Sequence, residues 1–145
     1  MTQTLKSTRF GDVELSDDAV VEFPNGLIGL RGTRYALVPH GEDGTFVWLH
    51  SMEDPDLALP VTRPWNFFAD YEVELSDADS ERFPADDVAV WVTVRAGAEL
   101  ADFSANLRAP IVVSQGQGYQ VINEAANAPV RAQLFPDADA KPAAA

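Results

Sequence analysis

The stretch Val88-Ala-Val-Trp-Val-Thr-Val94 decides the fold. Valine recurs at every second position, with Ala89, Trp91 and Thr93 between, so both faces of a pleated strand are mostly apolar. A strand of that kind needs cover on both sides, which predicts a central position in a sheet. Immediately upstream, Ser76-Asp77-Ala78-Asp79 has the shape of a capping box, and Pro84 stops the element after Phe83. That predicts one short helix. Before it, Tyr71 to Leu75 alternates apolar and acidic residues at period two and reads as a half-exposed strand.

Further out, short apolar stretches are separated by turn residues. Leu5 to Leu15 reads as two strands broken at Gly11-Asp12, and Ala19 to Phe23 as a third, ended by Pro24-Asn25-Gly26. Tyr35 to Pro39 and Thr45 to Met52 flank a turn at Glu42-Asp43-Gly44, and Leu59 to Thr62 follows. Ile111 to Val113 and Tyr119 to Ile122 form a last pair across Gln115-Gly116-Gln117-Gly118. About ten short strands and one short helix predict an all-β, mainly antiparallel fold, a compact barrel-like or pseudo-barrel arrangement. The expected organisation is a single domain over residues 1–135 and a disordered tail over 136–145, where DADAKPAAA follows Pro136.

Composition bounds the function. A chain of 145 residues is long enough for one core, and 46% hydrophobic residues is an ordinary globular value. Cysteine is absent, which removes disulfides, thiolate nucleophiles and cysteine-ligated metals. No apolar run reaches the length of a membrane span, and MTQTLKSTRF lacks an apolar signal core, so a soluble cytoplasmic protein is expected. The net charge of −13 and a pI near 4.3 argue against direct nucleic-acid binding and against anionic membrane surfaces. Eight acids and one base, Arg82, lie between Asp70 and Asp87, whereas one acid, Glu124, stands against Arg108 and Arg131 between Phe103 and Phe135. That asymmetry either steers a basic partner to one side or simply solvates one face.

The residue types needed for catalysis do not assemble. His40 and His50 are the only neutral-pH proton shuttles, and Ser51, next to His50, points to the other face of a strand. Asp77, Asp79 and Glu81 begin like a calcium loop, but Arg82 stands where the loop needs glycine and Val88 where it needs glutamate. Asp54-Pro55-Asp56 reads as a turn cap rather than a cation site. Gly116 and Gly118 lie between strands, with no helix N-terminus after them to hold a phosphate. Carboxylate pairs are frequent enough here that one arises by chance. What remains is a run of large side chains among acids: Trp65, Phe67, Phe68 and Tyr71 beside Asp70 and Glu72. Those rings serve either as core or as a hot spot for a positively charged partner. If strand alternation holds, they cannot all face one way.

Several ordered segments resemble the flagellar assembly factor FliW family. They are Phe23-Pro-Asn-Gly-Leu-Ile-Gly29, Trp48-Leu-His-Ser-Met-Glu-Asp-Pro-Asp-Leu-Ala58, Pro64-Trp-Asn-Phe-Phe-Ala-Asp-Tyr-Glu72, the helix start at Ser76, Ser104-Ala-Asn-Leu-Arg-Ala-Pro-Ile-Val112 and Gln120-Val-Ile122. The sequence departs from the family pattern at His50, at Leu59 and in the Ala-rich tail. The resemblance implies a barrel-like fold, no enzymatic activity and no cofactor. It implies two alternating partners, flagellin and the basic translational repressor CsrA, met in the cytoplasm by a protein that is a monomer when free. Contacts are then expected along Asp70, Tyr71 and Glu72, with Phe67 or Phe68 as anchor, and near Asn106 and Arg108. For Asn106 an ordinary turn role ahead of a strand is nearly as strong a reading. A dedicated flagellin chaperone, or an acidic mimic of RNA in the CsrA groove, are the alternatives.

Overall fold

The computed structural model describes residues 2–30, 32–40, 45–82, 88–126 and 128–135. In chain order the strands are β1 (Thr2–Ser7), β2 (Gly11–Ser16), β3 (Val20–Glu22), β4 (Arg34–His40), β5 (Phe46–Ser51) and β6 (Ala58–Thr62). The helix α1 (Asp77–Arg82) follows, then β7 (Ala89–Arg95), β8 (Ser104–Ala105), β9 (Ile111–Ser114), β10 (Gln117–Gln120) and β11 (Ala132–Gln133). The sheet runs β7-β6-β5-β4-β3-β10-β9 and closes by pairing β9 back onto β7; the fold is the all-β barrel class that the sequence predicts, and seven strands make the closed wall. β8 and β11 extend from the outer half of β7. Every pairing is antiparallel except β3 with β10, a parallel seam of one bridge, Gln117 to Glu22.

Closure follows from side-chain alternation. Val21, Tyr35, Val47, Leu49, Val61, Trp91 and Ile111 share one buried cluster, so β3, β4, β5, β6, β7 and β9 all point residues into the barrel. On β7 the outward residues Val92 and Val94 lie under a second cluster with Tyr71, Ala105, Leu107 and Leu134. The double cover read from VAVWVTV is therefore real: Trp91 faces the barrel interior and the valines face an outer layer. The β1–β2 hairpin is a separate two-stranded sheet whose Leu5 and Leu15 cover the outward Ala36 and Val38 of β4.

Three sequence readings are corrected. The first turn is not Gly11-Asp12: Ser7 pairs with Gly11, which starts β2 at φ 73°, and the loop is Thr8 to Phe10. Ser7 fixes it by accepting the amides of Arg9 and Phe10 at 3.1 and 3.0 Å. The last turn is two residues, not four, since Ser114 pairs with Gln117 and both Gln115 (φ 54°) and Gly116 (φ 79°) are left-handed. Two consecutive positive φ values are the type I′ geometry that matches strand twist. The third concerns Tyr71 to Leu75, which joins no ladder. It keeps the period-two exposure, Tyr71 buried and Glu72 and Glu74 exposed, but its partner is a side chain described below.

The helix starts at Asp77 as expected, whereas Pro84 lies outside the described residues. So do the Glu42-Asp43-Gly44 turn, although His40 and Phe46 pair across it, and the tail 136–145. Among the described residues no helix is long and apolar enough to cross a membrane.

Candidate functional site

The aromatic–acidic run begins at Pro64, whose ring presets φ for a single turn of 3-10 helix over Pro64–Asn66. The amides of Phe67 and Phe68 both donate to the Pro64 carbonyl, at 3.1 and 2.8 Å, and the Tyr71 amide donates to Phe68. This curl replaces the alternation assumed from sequence. Phe67 and Phe68, though adjacent, both lean on the outer cluster, and Phe67 meets Phe46 and Phe135 at ring distances of 5.6 Å. Trp65 is the ring left outside, 45% exposed, with its indole N–H donating to the Tyr71 carbonyl at 2.9 Å.

Phe67, Phe68, Ala69, Asp70, Tyr71 and Leu107 line an open groove of about 350 Å³. Asp70 lines it and is exposed, and Glu72, Glu74, Asp77 and Glu81 continue the exposed acids along the chain. Tyr71 is the floor: it is buried, and its hydroxyl donates to the Leu107 carbonyl at 2.8 Å. Asn123, fully buried, holds the segment from behind. Its Nδ2 donates to the Tyr71 hydroxyl at 3.0 Å and to the Glu72 carbonyl at 2.8 Å. Its Oδ1 accepts the amides of Glu74 and Ala125 at 2.8 and 3.0 Å. The Glu124 amide donates to the Glu74 carbonyl at 2.7 Å. One amide side chain thus supplies both donors and acceptors where a strand would supply a ladder. That is why Tyr71 to Leu75 is extended without being in the sheet.

Arg108, half-buried, donates to the Asn123 carbonyl at 2.9 Å and so braces this network rather than facing outward. Asn106 accepts the amides of Arg108 and Ala109 at 3.1 Å each, the turn role that the sequence reading weighed. Its side chain lies on the other face of the segment from Leu107, away from the groove. The expected contact residues therefore divide. Phe67, Phe68, Asp70 and Tyr71 line one groove, Glu72 follows them and is exposed, Arg108 stands behind, and Asn106 lines the hollow on the other face of its segment. Sequence reasoning missed Asn123 and Leu107. The one local sign of Asn123 was a lone amide between Ile122 and Ala125 in a stretch poor in charge.

Burial raises the Tyr71 pKa above its ordinary 10.0, against the lowering effects of the Asn123 hydrogen bond and the Arg108 charge. Tyr35 is raised as well, by burial and then by Glu53 and Asp54. A phenol whose folded-state pKa is raised binds its proton more tightly folded than unfolded. The stability this gives is fully present below pH 10 and is lost as pH rises above it. Denaturant titrations between about pH 9 and 12 should show wild type losing stability more steeply than Tyr71→Phe, since the variant has one less such phenol. Equal slopes would mean that Tyr71 titrates freely.

The histidine reading also resolves. His50 is fully buried, and its Nδ1 lies 2.8 Å from the Ser51 carbonyl, which can only accept. Nε2 lies 2.8 Å from the Ser7 hydroxyl. Ser7 already accepts two amides, and Phe10 covers the imidazole at 6.2 Å between rings. This Ser–His pair pins the β1–β2 hairpin to the barrel; it is not an exposed nucleophile. The His40 side chain lies outside the described residues. Asp54 caps its turn by accepting the Asp56 amide at 2.9 Å, as read from sequence. Among the described residues no three acids or histidines converge to hold a metal.

The family model described as FliW protein matches residues 4–134. A flagellar assembly factor FliW of Desulfitobacterium hafniense (strain DSM 10664 / DCB-2) is 31% identical over 143 residues, covering 94% of each chain. That of Geobacillus kaustophilus (strain HTA426) is 34% identical over 137 residues, covering 90% of this chain and 94% of its own. A crystal structure of the flagellar assembly factor FliW superposes with a TM-score of 0.80 at 29% identity, over 92% of this chain and 98% of that one. Family model, full-length relatives and a shared barrel lead to one conclusion: this chain belongs to the FliW family of flagellar assembly factors.

Proposed function

We propose that this protein acts in the cytoplasm, as a monomer when free and without catalysis or cofactor, by binding two partners in turn. One is flagellin before its export. The other is CsrA, captured when flagellin has been exported, which lifts repression of the flagellin message. The switch needs no chemistry, because flagellin and CsrA draw on one limited pool of this chain and mass action links them.

The observation that carries the reading is the groove of Phe67 and Phe68 lined by exposed Asp70, with exposed Glu72 next along the chain. Half-buried rings anchored on a core, with acids at the rim, suit a basic protein surface. The Asn123 network holds that surface in shape before any partner arrives, so little ordering is lost on binding. The acids also make a direct RNA contact by this face unfavourable.

The test is calorimetric titration of the protein with CsrA, alone and after saturation with flagellin. Binding of CsrA that flagellin abolishes supports the switch. Binding of flagellin with none of CsrA reduces the function to a chaperone. For the surface itself, Glu72→Lys should slow association with CsrA by about tenfold at low salt and flatten its salt dependence. Stopped-flow rates equal to wild type in a folded variant would remove this groove from the interface.

A further inference from the structure

We infer that a second groove, on the face of the Asn106–Leu107 segment opposite the aromatic–acidic one, docks an apolar polypeptide segment bearing carboxylates. The inference rests on the partner reading above and assigns that segment to flagellin, which excludes CsrA because the two grooves are opposite faces of one four-residue segment. The segment from Ser104 to Leu107 is extended, so neighbouring residues alternate faces. Ala105 and Leu107 point into the outer cluster beneath Tyr71. Ser104 and Asn106 point the other way, into a groove of about 350 Å³ shared with Leu59, Val94, Val130, Arg95 and Arg131. Leu59, Thr93 and Asn106 continue it into a hollow of about 200 Å³ under Leu27, Ile28 and Leu30.

Two features distinguish this surface from ordinary exposed side chains. Two of its apolar members are open to solvent, and one of them is fixed. Ile28 is 66% exposed and Val130 59%. Ile28 is held in place because Gln120 accepts its amide at 2.8 Å while donating to the Ala109 carbonyl at 3.1 Å. Leu27 beside it is buried in the barrel core. A rigid apolar group presented to solvent costs little further entropy on docking.

The second feature is charge. In a chain of net charge −13, the only charged side chains lining either hollow among the described residues are Arg95 and Arg131, both exposed. Neither guanidinium meets a carboxylate among the described residues. This sign repels a basic dimer and attracts an acidic segment, so of the two proposed partners the groove falls to flagellin rather than CsrA. Its apolar centre with cations at one end also argues against a purely electrostatic ligand.

The test is calorimetry of three variants, Ile28→Asp, Val130→Asp and the double Arg95→Glu/Arg131→Glu, against flagellin and against CsrA, with thermal unfolding to check each fold. The expected result is flagellin affinity weakened about tenfold or more by each, with CsrA affinity within about twofold of wild type. Glu72→Lys should give the reverse pattern. Unchanged flagellin affinity in folded variants overturns the assignment of this groove while leaving the partner reading intact. Equal loss of both partners also overturns it, since the residues would then serve the fold. Wild-type protein that binds no flagellin at all is the failure of the partner reading itself, and the assignment falls with it.

Discussion

Asn123→Ala is expected to destabilise the protein by about 3–4 kcal/mol, because it leaves several buried polar groups without partners at once. The amides of Glu74 and Ala125 lose their acceptor, and the Glu72 carbonyl and Tyr71 hydroxyl lose a donor. The same change frees the segment from Tyr71 to Leu75, which has no ladder of its own. Hydrogen exchange at the Glu74 amide should accelerate well beyond that of β5, where strand pairing is untouched. Asn123→Asp should sit between wild type and Asn123→Ala, since a carboxylate keeps both acceptor contacts and loses both donors. Urea denaturation decides the matter. A loss below about 1 kcal/mol, with the Glu74 amide still protected, would show that the segment is held by Val73 and Leu75 against Val90 and Val121 instead.

Phe23→Ala is expected to cost about 3–5 kcal/mol, the range for a large ring removed from a closed core. Phe23 is fully buried and packs edge-on against Tyr35 at 5.6 Å between ring centres. It also fills the barrel at its weakest seam, where β3 and β10 share one bridge. The ring explains why β10 carries a glycine. A Cβ on Gly118 would lie 2.4 Å from Phe23 Cε1 and 2.9 Å from Val21 Cγ1. Gly118→Ala alone should therefore cost about 1–3 kcal/mol by overpacking. In the Phe23→Ala background the clash with the ring is gone and only the close approach to Val21 remains, so the double variant should be more stable than the two losses added together. Strict additivity in denaturant unfolding would mean that ring and glycine do not meet.

These two residues also mark how legible the chain was. Phe23 and the strand it ends could be read directly, because an apolar run stopped by Pro24-Asn25-Gly26 is a local signal. So could the helix start at Ser76, the hairpins and the acidic face, all carried by spacing within a few residues. Turn boundaries were misplaced by a residue or two. Which residue of Ser7 to Gly11, or of Gln115 to Gly118, takes the left-handed position depends on the register of the whole pair. The expected contact residues do not all share one surface. Phe67, Phe68, Asp70, Tyr71 and Glu72 are contiguous in sequence and stay together, whereas Asn106 is separated from them by a single alternation in an extended segment.

The sequence by itself determined the all-β class, the doubly covered central strand, the single short helix and the crowding of acids after Asp70. Each of these is a pattern of side chains along a local backbone, and burial or solvation of one face enforces it. Only the tertiary structure decided that β9 returns to close on β7, and that His50 pairs with Ser7 rather than its neighbour. It also decided that Asn123 stands in for a strand behind Tyr71 to Leu75. Those contacts join residues dozens of positions apart. They are selected by how volumes and hydrogen bonds close around a common core, and a one-dimensional pattern does not carry that information.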